Sequence, residues 1–276
     1  MWLRRLSLGA LSMLFYGISG TITNTVSADV VELVVQPNIV ALADYRAGDA
    51  DKPALLILHG FLQTRTFSTI QNLANTLHDE GYTVLLPTLS LGINRRSKSL
   101  SCEAVHTQTF EEDLGEIDRW VGWLHEKGHK RVIGIGHSSG SVQLLAYATG
   151  KDHKQTFEAV ILLSMLGLRP GIGRPLSYPG LKEYSLSYCK RYPATPEAFE
   201  GFARYTRAEI LKILARLKLP NMIVQGSADV AMGIEWPRLM ANRGAHVVTI
   251  PGADHFFNSP FEFDLYDRVI EWLDGK

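Results

Sequence analysis

The sequence predicts an α/β protein whose core is a mostly parallel, doubly wound sheet with helices on both faces. Short, nearly continuous apolar runs such as those in "ALLILHG" and "RVIGIG" do not fit strands with one wet face. These runs alternate with stretches of helical apolar spacing, the pattern of βα units. A chain of 276 residues with 46% apolar and 20% charged content can bury one large core. Its 28 basic and 28 acidic residues cancel, so no global field favours nucleic acid or an anionic membrane as a partner.

The chain starts with a basic pair, Arg4 and Arg5, an apolar run from about Leu6 to Ile18, and small residues at Val26 and Ala28. This is the pattern of a secretory signal over residues 1–28, cut after Ala28. The run contains Ser7 and Ser12 and is short for a span, so no stable membrane span is expected after cleavage, and the body, residues 29–276, is expected to be exported to a periplasm or the medium. Cys102 and Cys189 would then meet an oxidising compartment, where a disulfide between them is permitted by chemistry but not fixed by sequence.

In the body, "VVELVVQ" and "NIVALADYR" predict two early strands, and "ALLILHG" predicts a buried third. Phe67, Ile70, Leu73 and Leu77 share one face of a helix that Gly81 stops, and "YTVLLPTLS" is the next strand. Thr109 and Glu112 fit a capping box opening "FEEDLGEIDRWVGWLHEKG". Then "RVIGIG" is a strand, "GSVQLLAYA" a helix, "FEAVILLSML" a strand, "RAEILKILARLK" a helix, "NMIVQG" and "HVVTIPG" strands, and "EFDLYDRVIEWL" the closing helix. The segment from about 167 to 205 is rich in Pro, Gly, Tyr and Arg and is read as a small lid inserted between a strand and a helix.

Chemistry in such a sheet collects at the carboxyl ends of its strands. There "GHSSG", residues 136–140, turns a strand sharply into a helix. A turn that tight strains the backbone of its central residue and crowds the positions two before and two after it. Gly136 and Gly140 bracket Ser138 in this way, whereas a nucleophile at Ser139 would put His137 and Ser141 in the crowded places. A dinucleotide-binding turn built on Gly134, Gly136 and Gly140 has the wrong spacing and does not lie in the first βα unit. A serine hydroxyl needs a base, and the base needs a carboxylate. The last two predicted strands deliver Asp229 and His255 just past their carboxyl ends.

With "LILHGF", "GHSSG", "QGSAD" and "IPGADHFF" in this order, the sequence resembles the α/β-hydrolase superfamily from about Ala54 onward. The resemblance implies Ser138 as nucleophile, His255 as general base and then acid, and Asp229 as the carboxylate that orients it. It also implies an oxyanion hole of the backbone N–H groups of Phe61 and Ser139. The implied activity is that of a serine hydrolase acting through an acyl-enzyme on a small-molecule carboxylic ester. An acyltransferase, thioesterase or peptidase would use the same groups, and a non-catalytic binding protein is the rival from another class.

Other candidates carry weaker signals. Asp254 is adjacent to His255, too close in the chain to reach its far ring nitrogen, and His59 is read as structural. No His or Cys spacing forms a metal pattern, and no cofactor is required. The acidic run Glu111-Glu112-Asp113 suits the start of a helix. Five of the ten tyrosines, Tyr178, Tyr184, Tyr188, Tyr192 and Tyr205, fall in the insertion, where they either wall a pocket or pack it down. Arg95, Arg96 and Lys98 follow a strand end and either solvate a loop or receive an anionic substrate.

Overall fold

In the computed structural model, β1 (Asp29–Gln36) and β2 (Ile39–Arg46) form an antiparallel pair at one edge of an eight-stranded sheet. The structure describes residues 28–150, 156–165, 167, 170–231 and 233–275, so the predicted leader lies outside the described residues except for Ala28. The sheet continues through β3 (Ala54–Leu58), β4 (Thr83–Thr88), β5 (Val132–His137) and β6 (Ala159–Leu163). β4 pairs antiparallel with β2, and β3 pairs in parallel with β4 and β5, as does β5 with β6. The helices α1 (Ser68–Asp79), α2 (Phe110–Glu126) and α3 (Ser139–Thr149) make the crossovers.

Strand period decides which helix covers which face. Leu55 and Ile57 pack with Ile70, Leu73 and Leu77 of α1 in one core layer, whereas Leu56 and Leu58 pack with Ile117, Trp120 and Leu124 of α2 in the other. Each central strand is therefore buried on both sides, which is why "ALLIL" carries no polar residue. At the start of α2, the Thr109 hydroxyl accepts from the Glu112 N–H at 3.2 Å while the Glu112 carboxylate accepts from the Thr109 N–H at 2.7 Å, the reciprocal box expected from the sequence.

The inserted segment has structure of its own. It contains a three-stranded antiparallel sheet of β7 (Arg174–Pro175), β8 (Lys182–Leu186) and β9 (Cys189–Ala194), then α4 (Pro196–Ala203). Two of its tyrosines hold it down, Tyr192 stacking on His106 with ring centroids 4.0 Å apart and Tyr205 on Phe110 at 4.3 Å, while Tyr184 stacks on Phe199 at 3.7 Å within the insertion. Tyr178 is exposed. Cys189 is disulfide-bonded to Cys102 in the segment between β4 and α2.

After α5 (Arg207–Leu214), the sheet is completed by β10 (Asn221–Gly226) and β11 (His246–Ile250), with the six-residue helix α6 (Trp236–Ala241) between them and α7 (Phe261–Asp274) packed on the α1 face. The full order is β1-β2-β4-β3-β5-β6-β10-β11. This order places the carboxyl ends of β5, β6, β10 and β11 side by side. Among the described residues, no helix is long and apolar enough to cross a membrane.

Candidate active site

The turn from β5 into α3 is as tight as its glycines require. Ser138 has φ +56° and ψ −117°, a left-handed conformation that a side chain rarely adopts. A Cβ on Gly136 would lie 2.6 Å from the carbonyl carbon of Gly140, and one on Gly140 would lie 2.5 Å from the carbonyl oxygen of His59. Strand, helix and the neighbouring β3 end thus meet at backbone contact around one serine.

The Ser138 hydroxyl donates to Nε2 of His255 at 2.9 Å, and Nδ1–H of His255 donates to Oδ2 of Asp229 at 2.6 Å. The Asp229 side chain is 2% exposed and the His255 side chain 20%, so the carboxylate is sealed while the imidazole reaches the pocket. Oδ1 of Asp229 accepts the Ala231 N–H at 3.0 Å, which fixes the carboxylate in its loop. Sequence reasoning placed these three residues at the ends of three strands, and the structure brings them together in that order. Phe61 lines the same cavity as Ser138, and Ser139 is the first residue of α3.

Two donors that sequence reasoning missed hold the backbone of His255. Nε2–H of His137 and the hydroxyl of Ser164 both donate to the His255 carbonyl, at 2.9 and 2.8 Å. Ser164 follows β6 at φ +46°. Its position past a strand end is the one signal the sequence offers for it. Burial, and then the nearby His255, lowers the His137 pKa to about 4, so this ring is neutral near pH 7. It places no like charge beside His255.

His59 is structural, as read. Its Nε2 accepts the Leu89 N–H at 3.1 Å, so Nδ1 carries the proton and donates to the Gly60 carbonyl at 2.8 Å. Burial, then the Arg96 charge, lowers its pKa to about 3. Asp254 is otherwise engaged: its carboxylate accepts from the N–H groups of Phe256 and Asn258 and from the Asn258 side chain. Burial pulls its pKa up, yet those hydrogen bonds outweigh it and hold the group below the usual carboxylate range.

Two charged segments change meaning. Arg96 is buried, and its guanidinium donates to the carbonyls of Leu89 at 2.7 Å, Gln63 at 2.7 Å and Lys98 at 3.0 Å. It ties the segment after β4 to the loop after β3, while Arg95 pairs with Glu32 on the surface. Neither lines the cavity over Ser138, which removes the basis for reading them as an anion receptor. Asp113 is fully buried, accepting from Gln143 of α3 at 2.8 Å, so it joins two helices while Glu112 does the capping. Burial, then the neighbouring Glu116, pushes the Asp113 pKa well up.

The cavity over the serine has a volume of about 410 Å³ and is walled mainly by Phe61, Gln63, Tyr188, Ala231, His255 and Phe256. It is aromatic on its sides with a hydrogen-bonded serine and histidine at its base, the general form of a small-molecule site. Among the described residues, no three His, Cys, Asp or Glu side chains are grouped to hold a metal ion.

This sheet order, strained serine turn and linked Ser, His and Asp define a class, and comparison with known proteins names it. The chain belongs to the alpha/beta hydrolase family, whose model matches residues 55–271. It is similar in structure to Est1E from Butyrivibrio proteoclasticus, with 17% identity and a TM-score of 0.64 over 90% of this chain and 99% of that one. It is likewise similar to the esterase domain of a Rhodothermus marinus protein, with 18% identity and a TM-score of 0.62 over 88% and 96% of the two chains. A thioesterase domain from the curacin biosynthetic pathway gives 16% identity and a TM-score of 0.60 over 88% and 99%. At these identities the likeness is one of fold. No curated protein sequence matches the chain.

Proposed function

We propose that this protein is a serine hydrolase that cleaves a small-molecule carboxylic ester through an acyl-enzyme. The observation that carries this reading is the continuous hydrogen-bonded chain from Asp229 through His255 to Ser138, at 2.6 and 2.9 Å, at the base of an aromatic cavity. Ser138 Oγ attacks the ester carbonyl carbon as its proton passes to Nε2 of His255. Asp229 holds the ring in the tautomer with the proton on Nδ1 and stabilises the imidazolium. The carbonyl oxygen becomes an oxyanion received by the N–H groups of Phe61 and Ser139, the latter at the positive end of α3. Collapse breaks the C–O bond, and the alkoxide leaves with the proton from His255. Water then repeats the sequence on the acyl-enzyme and frees Ser138 and the acid.

Two neighbours of His255 favour this chemistry. His137 stays uncharged and Asp254 is occupied by its own turn, so among the described residues Asp229 is the carboxylate hydrogen-bonded to the ring. Thioesters and amides pass through the same kind of intermediate, and an acyltransferase differs only in the acceptor. Turnover of matched ester, thioester and amide substrates, with and without an added acceptor alcohol, separates these readings by their products. Release of free acid from the ester, undiminished by the alcohol, supports the hydrolase; transfer of most acyl groups to the alcohol contradicts it.

We further infer that residues 1–28 direct export. The disulfide between Cys102 and Cys189 supports that reading, since such bonds persist in oxidising compartments. Fractionation of cells expressing the full chain tests it: a mature protein beginning after Ala28 in the exported fraction is expected, and full-length protein in the cytosol contradicts it.

A further inference from the structure

The hairpin of β8 and β9 brings its turn, Ser187 and Tyr188, to the cavity over Ser138 and His255. The Tyr188 hydroxyl donates to the Phe61 carbonyl at 3.2 Å, and its ring meets the Phe61 ring edge to face, with centroids 5.9 Å apart. Both contacts are to Phe61, and the rest of the Tyr188 side chain is exposed. The next residue is Cys189, bonded to Cys102. The far end of β9 is tied separately to the same segment: the His106 N–H donates to the Pro193 carbonyl at 2.9 Å, and the Thr195 N–H to the His106 carbonyl at 3.1 Å. The stack of Tyr192 on His106 adds to this tie, and the disulfide is the tie beside Tyr188.

We propose that Tyr188 is a specificity-determining residue that selects esters carrying an arylalkyl group, and that the Cys102–Cys189 disulfide holds it in place. The proposal rests on reading Ser138 and His255 as the reacting pair. An aromatic ring entering this cavity meets Phe61, Tyr188 and Phe256, and each well-placed aromatic pair adds about 2- to 10-fold beyond simple burial. Breaking the disulfide releases the hairpin tip while the bridge through His106 keeps its base docked. The aryl preference is then lost and the chemistry at Ser138 remains.

The test compares kcat/KM for methyl 3-phenylpropanoate and 2-phenylethyl propanoate with that for ethyl propanoate in the same preparation, so that the fraction of folded enzyme cancels. The wild type is expected to prefer at least one aryl ester. Tyr188→Ala and the double variant Cys102→Ser/Cys189→Ser are each expected to lower that ratio by about 2- to 10-fold, and Tyr188→Phe to keep most of it. A ratio unchanged in either variant, with ethyl propanoate still turned over, overturns the inference and leaves the hydrolase reading standing. In the Ser138→Ala background, calorimetric binding of 3-phenylpropanoate should weaken when Tyr188→Ala is added, and unaltered binding also overturns the inference. Binding that weakens as expected in a protein whose wild type turns over no ester supports the aryl site and refutes the hydrolase reading.

Discussion

His137 donates its Nε2–H to the backbone carbonyl of His255 across 118 positions of sequence, at 2.9 Å. Ser164 donates to the same oxygen, so the loop that carries His255, the proposed general base, is held by two elements, the turn after β5 and the end of β6. Misplacing a reacting group by about 1 Å can cost about 10²-fold in rate. Ser164→Ala, which removes one of the two donors, is expected to lower kcat by about 10-fold with KM little changed. Steady-state kinetics on an ester substrate checks this, and a change confined to KM would assign Ser164 to substrate binding instead.

Asp229 provides the sharper loss. Replacing it by Asn leaves the size of the side chain but favours the wrong imidazole tautomer, and kcat is expected to fall by up to about 10⁴-fold with the fold retained. Circular dichroism together with kcat checks both parts of the statement.

The elbow glycines limit substitution by contact alone. Gly136→Ala and Gly140→Ala each drive a methyl group to 2.6 Å or less from backbone atoms. Backbone cannot yield as the end of a long side chain can, so both variants are expected to lose about 1–3 kcal/mol of stability, read as a lower Tm. The Gly140 methyl also presses on the His59 carbonyl, one residue before Gly60, and its activity loss is expected to exceed its stability loss.

The disulfide joins positions separated by 87 residues. On the chain-entropy account, such a closure stabilises the fold by about 4–5 kcal/mol. Denaturant melts with and without reductant are expected to show a lower midpoint in the reduced protein.

Acid sensitivity follows from the histidines that fold neutral. His59 and His137 sit at about 3 and about 4, below the ordinary value of 6.5 that they regain on unfolding. Between those limits the unfolded chain binds more protons, so stability is present above pH 6.5 and is lost as pH falls, at about 1.4 kcal/mol per pH unit for each ring. Asp113 and Glu116 act in the opposite sense, because burial raises their pKa values and favours the folded state at lower pH. Comparing wild type with His137→Asn cancels those carboxylates. The fall in Tm between pH 6.5 and 4.5 is expected to be shallower in the variant.

The strand and helix pattern was legible because burial on both faces of a parallel sheet leaves an unmistakable trace in runs such as Ala54–Leu58. The place of Ser138 at the tight turn was legible for a related reason: Gly136 and Gly140 are required by backbone contact, and that requirement appears as spacing. The hairpin of β8 and β9 was not, since "KEYSL" and "CKRYPA" mix polar and aromatic residues on strands whose partner is fixed by tertiary packing. The six-residue α6 was too short to show a period. The direction of Arg96 was also hidden, because a sequence records a charge but not the carbonyls that fold around it. His137 and Ser164 escaped notice as positioning residues for the same reason: their common acceptor is a backbone oxygen, which leaves no mark on residue identity.

The most direct test of the central claim is intact mass after exposure to a fluorophosphonate probe, on the mature protein and its Ser138→Ala variant. An activated serine predicts a single adduct on the wild type and none on the variant. A folded wild type that takes no adduct, or a variant labelled equally well, would contradict the assignment of Ser138 as the nucleophile.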